Sequence, residues 1–296
     1  MTVWLSVDTD DRCHLPSQRG HPLRSSGPET GWRTTGYAAS TELLQATDRF
    51  IEWVVDGPPV TVFLIAEQLD CLAFTQRMEV LRGLDNITFG CHGWGHRCWS
   101  AWQPDVEDFT EMLSAAKQRI ETFAGTSFRA WFRAPGGYIA PWMAAPLAAG
   151  GFRLDSSINP TWLLRSKAGG GRDWAMVHDA MRRAGIVERE WRTLRPLISP
   201  ALPATGPALS LPILGPLARN AWRRSTKADR VASTEQVEDG EVTMSTLYWH
   251  LLDHGRDDGR WSPPLHPTLE SSAEAIGGNR SSGSRPVTVS MKQEPI

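Results

Sequence analysis

In the first half of the chain, short apolar runs alternate with longer amphipathic stretches. Residues 3–7 (V-W-L-S-V) form a brief run that stops at Asp8, and 60–66 (V-T-V-F-L-I-A) is the most continuously apolar run of the chain. Residues 87–91 and 129–133 repeat the pattern, and 152–154 leads into Asp155-Ser156-Ser157. Such runs are what strands buried on both faces require. Between them the spacing predicts helices: one capped by Ser40 or Thr41 and running to about Val55, one over 74–84, one over 105–123 with acids in its first turns, and one over 141–149. Strand and helix alternating through short links predict an α/β fold, a mostly parallel sheet wrapped by helices. Such folds carry their chemistry at the C-terminal ends of the strands.

Two regions break the alternation. Residues 11–36 are rich in Ser, Pro, Gly and Arg and too long for a simple connection, so they predict a functional loop or lid. After Pro160 the pattern loosens: 208–214 reads as a strand, 241–253 as a helix, and Leu265-His266-Pro267 as a strand end carrying a histidine. Residues 270–285 are Ser/Gly-rich, and 286–290 could add one last strand.

Composition narrows the partners. With 31 Lys+Arg against 33 Asp+Glu, nothing suggests an electrostatic grip on nucleic acid or anionic lipid. The N-terminus lacks the basic leader of a secretory signal, and no apolar run approaches the roughly 18 residues that span a bilayer, so a cytoplasmic location is expected. Cys13, Cys71, Cys91 and Cys98 form no disulfide framework. The 14 Trp are mostly core and surface filler, with a few expected to line a pocket that stacks on a sugar or another flat ligand.

Chemistry concentrates in N-I-T-F-G-C-H-G-W-G-H-R-C-W at 86–99. A strand there turns through glycines and presents His92 and His96 four residues apart, a spacing suited to a divalent metal. A working site needs a carboxylate and an open position for water. The acids after the first strand, Asp8, Asp10 and Asp11 in V-D-T-D-D, offer both a ligand and a proton acceptor. A closed site using Cys91 and Cys98 is weaker, because Cys91 and His92 are neighbours on an extended strand and point to opposite faces. Arg133, before Ala134-Pro135-Gly136-Gly137, is placed to pair with a site carboxylate while the Gly turn offers backbone N–H groups to an oxyanion. His14, His21, His178, His250 and His254 lie in polar or helical contexts and receive no role.

In this order, V-D-T-D, H-G-W-G-H, F-R-A-P-G-G-Y, F-R-L-D-S-S and L-H-P resemble the five motifs of the polysaccharide deacetylase family, the NodB-homology or carbohydrate esterase 4 group. The closer likeness is to its intracellular branch, with peptidoglycan-deacetylase-like and allantoinase-like proteins. The resemblance implies a distorted (β/α)7-type barrel over residues 1–270, with the long N-terminal loop at the active site and 271–296 as a C-terminal segment. It implies a divalent ion, Zn2+ first, held by His92, His96 and Asp10, with Asp11 as the fallback ligand. Asp8 would be the general base, oriented by Arg133; His266 would protonate the leaving amine, with Asp155 tuning it. Gly136, Tyr138 and Trp94 would contact substrate. Asp11-Arg12 stands where the family commonly has Gly-Pro, and Gly136 where an aromatic is common, which shifts the expectation from a long polysaccharide to a small amino sugar or short glycan. The implied activity is removal of an N-acetyl group. Hydrolysis of a cyclic ureide or imide, or an idle carbohydrate-binding relative, are the other readings.

Overall fold

Among the described residues the sheet has seven parallel strands along its main path, β1 (Thr2–Asp8), β2 (Val60–Leu64), β3 (Ile87–Cys91), β4 (Phe128–Phe132), β5 (Leu154–Asp155), β6 (Val187–Glu188) and β7 (Ser245–His250), in the order β7-β1-β2-β3-β4-β5-β6, and a short eighth, Arg230–Val231, pairs with the start of β1. The computed structural model describes residues 2–27, 31–194, 202–203, 215–225 and 230–264. One parallel bridge, Trp191 to Thr246, joins the segment after β6 to β7, and the Arg192 N–H donates to the Thr246 carbonyl at 3.0 Å. The sheet therefore curls back on itself as a partial barrel.

Period-two alternation sorts the strand side chains between two cores. Val3, Leu5, Val62, Leu64, Phe89 and Phe132 pack outward against the helices, whereas Trp4, Phe63, Trp131 and Leu154 pack together in a second cluster. In that second cluster Trp4 meets Trp131 edge-on at 5.5 Å, and its indole N–H donates to Thr61 Oγ1 at 3.0 Å. Gly90 makes this packing possible, since a Cβ there would lie 2.7 Å from the Phe63 ring.

The outer layer comprises α1 (Thr41–Val54), α2 (Leu72–Arg82), α3 (Val106–Ala124), α4 (Ala144–Ala149) and α5 (Trp174–Arg183). Ser40 caps α1 by accepting from the Leu43 N–H at 3.1 Å, and Asp105 caps α3 through the Asp108 N–H at 3.0 Å. The bounds of α1, α2 and α3 match the sequence reading to within two residues, α4 begins three residues later than expected, and α5 was not expected.

Past Pro160 the structure departs from it. Residues 241–253 are not a helix: 245–250 form β7, whose register against β1 runs from Val3 with Ser245 to Asp8 with His250. Pairing with β1 decides the conformation of this segment, as tertiary context commonly does for short aromatic segments. The strands expected at 208–214 and 286–290 and the strand end at Leu265-His266-Pro267 lie outside the described residues. Among the described residues no helix is long and apolar enough to cross a membrane.

Candidate metal centre

The C-terminal ends of β1, β3, β4 and β7 bring the chemistry to one place. Asp8 and Asp10 are two residues apart and share a side of the chain, while the interposed Thr9 turns the other way. The Thr9 hydroxyl bonds the Phe63 carbonyl and the Gln68 side chain, and accepts from the Ile65 N–H at 3.2 Å. Thr9 thus ties β1 to β2 and leaves both acids facing the site.

Asp10 meets the two histidines. Its Oδ1 lies 2.5 Å from His96 Nε2 and its Oδ2 lies 3.3 Å from His92 Nε2. Asp10 Oδ2, His92 Nε2 and both ring nitrogens of His96 are buried and make no hydrogen bond. A buried polar atom left unpaired is costly, and three such residues with converging lone pairs are what a divalent ion would satisfy. Asp10, His92 and His96 form a group whose ligand atoms lie within 4.8 Å of one another. The residues therefore fit a metal by donor type as well as by position. Burial works against the Asp10 charge, but His96 and His92 hold its carboxyl well below the usual range.

His92 is oriented from behind, its Nδ1–H donating to the Arg133 carbonyl at 2.8 Å, which turns Nε2 toward Asp10. His96 sits at φ 63°, in the left-handed region uncommon for a residue with a Cβ, at a cost of order 1–3 kcal/mol. Asp11 is engaged elsewhere. Its carboxylate accepts from the Arg12 and Ser40 N–H groups at 2.7 Å each, from the Ser40 hydroxyl at 2.6 Å and from the Tyr37 hydroxyl at 2.8 Å. It fastens the long loop to the start of α1, and Asp10 alone of the two faces the imidazoles.

Asp8 is held by Arg133, whose Nη1 donates to Asp8 Oδ1 at 2.6 Å. The guanidinium also bonds Ser6 Oγ, the Ser156 carbonyl and Ser156 Oγ at 2.8, 2.9 and 3.1 Å. Its carbon lies 4.1 Å above the Phe63 ring and within 6 Å of the rings of Trp4, Trp191 and Tyr248. A fully buried cation in this aromatic cage fixes one oxygen of Asp8 and leaves the other directed at the site.

Sequence reasoning missed His250. It ends β7 opposite Asp8, and Asp8, Asp10 and His250 form a second group of ligand-capable atoms within 4.8 Å. Burial opposes its charge, but Asp253, Asp10 and Asp8 together push its pKa up to about 9. The available signal was L-Y-W-H at 247–250, an apolar run ending in a polar group as β1 and β3 do. His266, the histidine expected here, lies outside the described residues.

Asp155 serves the turn after β4. It accepts from Ser157 Oγ at 2.7 Å, and that hydroxyl accepts from the Ala134 N–H at 2.7 Å. Burial raises its pKa, and burial together with Asp155 raises that of neighbouring Glu188 well above the usual range. Through Ser157 it supports Ala134-Pro135-Gly136, and His266, the partner it was expected to tune, lies outside the described residues. Gly136 and Gly137 take positive φ in that turn, and Tyr138 packs beneath it. Trp94 turns away: it packs edge-on against Trp32, donates to the Thr34 carbonyl at 3.2 Å, and lines a groove with α2 and α3 residues such as Thr75 and Arg119.

No protein-family model matches the sequence, and no curated protein matches it. Among solved structures, the chain is similar to the crystal structure of a "putative polysaccharide deacetylase from Mycobacterium smegmatis", at 17% identity and a TM-score of 0.42, covering 94% of this chain and 84% of that one.

Proposed function

We propose that this protein is a metal-dependent hydrolase that removes an N-acyl group, acetyl first among them, from an amino sugar or a sugar-bearing metabolite. The observation that carries the reading is the convergence of Asp10, His92 and His96, with unpaired donor atoms, beside a second carboxylate locked by Arg133. The order of the five sequence motifs supports the acyl-hydrolase class.

Asp10, His92 and His96 would hold the ion, which when bound supplies Lewis acidity, making a water at the site easier to deprotonate and an acyl oxygen easier to polarise. Asp8 takes the proton from the attacking water. Its bond to Arg133 fixes its orientation, since the guanidinium donates to one oxygen and leaves the other for the water. The backbone N–H of Gly136, at the head of the turn braced by Ser157, faces the oxygen on which charge develops. His250, across from Asp8 and backed by Asp253, gives a proton to the leaving nitrogen; it takes the part that the sequence assigned to His266.

Acetate release decides it. The protein, supplied with Zn2+, is incubated with a panel of N-acetylated sugars and sugar nucleotides, alongside Asp8→Asn and His250→Gln. Release that falls in both variants supports the assignment; release unchanged in both removes it.

A further inference from the structure

Beside the metal centre three basic side chains from two separate loops gather around one tyrosine. His21 and Arg24 come from the long N-terminal loop, and Lys167 from the 3-10 segment Trp162–Ala168. The His21 ring meets Tyr138 edge-on at 5.2 Å, Arg24 Nη1 donates to the Tyr138 hydroxyl at 3.3 Å, and Lys167 Nζ lies 5.2 Å from the Tyr138 ring centre. Lys167 Nζ also donates to the Gly136 carbonyl at 2.6 Å, in the turn that faces the acyl oxygen. The loop carrying His21 and Arg24 is docked on the metal-ligand segment, because the Gly20 carbonyl accepts from the Cys98 N–H at 2.9 Å and from Trp102 Nε1–H at 3.0 Å.

Among the described residues no acid compensates this cluster. Elsewhere among the described residues several basic side chains close on acids, as Arg77 does on Asp48 at 2.7 Å and Arg133 on Asp8 at 2.6 Å. Among the described residues no carboxylate pairs with Lys167, Arg24 or His21. Burial, with the Arg24 charge adding to it, pulls the Lys167 ammonium down to about 8, while the Cys98 thiol works the other way. It is still mainly protonated at neutral pH, and an anion beside it would offset the cost of its desolvation. The Arg24 fork has four of its five donors free of the Tyr138 bond, enough to grip a planar or tetrahedral anion.

We propose that Lys167 and Arg24, with His21 at their edge, form a specificity subsite for an anionic substituent, a phosphate or a carboxylate, on the substrate whose N-acyl group is held at the metal centre. This rests on the acyl-hydrolase reading for its location but not for its chemistry. An anionic group bound there would orient the sugar ring relative to the Gly136 turn, so neutral sugars are turned over less well than charged ones.

The test compares three probes that share an N-acetyl group: N-acetylglucosamine, its 6-phosphate and N-acetylmuramic acid. Acetate release gives kcat/KM for each, and calorimetry gives the affinity of each, on the metal-loaded protein at pH 7 and at low and high salt. The subsite predicts a preference of about ten-fold or more for one anionic probe over the neutral one, shrinking as salt screens the charges. Which anionic probe wins separates phosphate from carboxylate. Lys167→Met and Arg24→Gln should each collapse the ratio of charged to neutral, and Arg24 is exposed enough that its substitution does not threaten folding. Were Lys167 only a brace for the Gly136 turn, its loss would lower all three probes together and leave the ratio intact, which overturns the subsite. Equal binding of the three probes, or no detectable binding of the charged ones, overturns it as well. Preferential binding of a charged probe without acetate release keeps the subsite and removes the acyl-hydrolase reading.

Discussion

Arg133 shows how single side chains set the chemistry. A guanidinium with no solvent exposure is tolerable only because four hydrogen-bond partners and an aromatic cage replace its water. Arg133→Met should therefore destabilise the fold by about 3–5 kcal/mol, because Asp8 is left buried and unpaired, and denaturant unfolding reads this directly. Asp8→Asn is different: the amide oxygen still accepts from Arg133, so the fold and metal content should persist while kcat drops by roughly a hundredfold to ten-thousandfold. His254 sets an acid limit. It is packed among Phe50, Trp53 and Trp261 and accepts the Trp249 indole N–H at 3.1 Å, and burial lowers its pKa to about 3 despite the opposing charge of Asp253. The unfolded chain then binds a proton that the folded chain refuses. Stability is complete above about pH 6.5 and falls as the pH drops toward 3, by about 2 kcal/mol at pH 5 from this group. His254→Gln should flatten that part of a stability-against-pH profile.

Elements carry these residues by registers that the sequence shows unevenly. Ile87–Cys91 was readable because β-branched and aromatic residues alternate and a glycine turn follows, which delivered His92 and His96. Asp10 and Asp11 could not be separated from sequence, since the choice depends on what the loop behind them does. Tyr37 and Ser40, far along that loop, claim Asp11 and free Asp10. The end of β7 left only the short L-Y-W-H signal, because its six residues pair with a strand some 240 positions away and no local pattern encodes that partner. The loop anchorage has its own test. Asp11→Ala removes four hydrogen bonds and the tie to α1, so it should lower stability by about 2–4 kcal/mol and speed proteolysis between residues 12 and 39.

At the scale of the whole molecule, the partial barrel assembles a site from residues at 8–10, 92–96, 133–136 and 250, none of which is near the next in sequence. Parallel strands do this by construction, because every C-terminal end opens on the same side. The Trp191–Thr246 bridge closes the seam next to Tyr248, so the aromatic cage around Arg133 depends on it. The α/β class was legible from the alternation of runs; the pairing that makes 245–250 the closing strand and brings His250 to Asp8 was not.

The most direct measurement is metal content, by plasma mass spectrometry after dialysis against Zn2+ and then buffer. The wild type and Asp11→Ala should each hold about one ion per chain, while Asp10→Ala and His92→Ala hold essentially none. Retention of the ion by Asp10→Ala, or its loss from a folded Asp11→Ala, would contradict the ligand set on which the account stands.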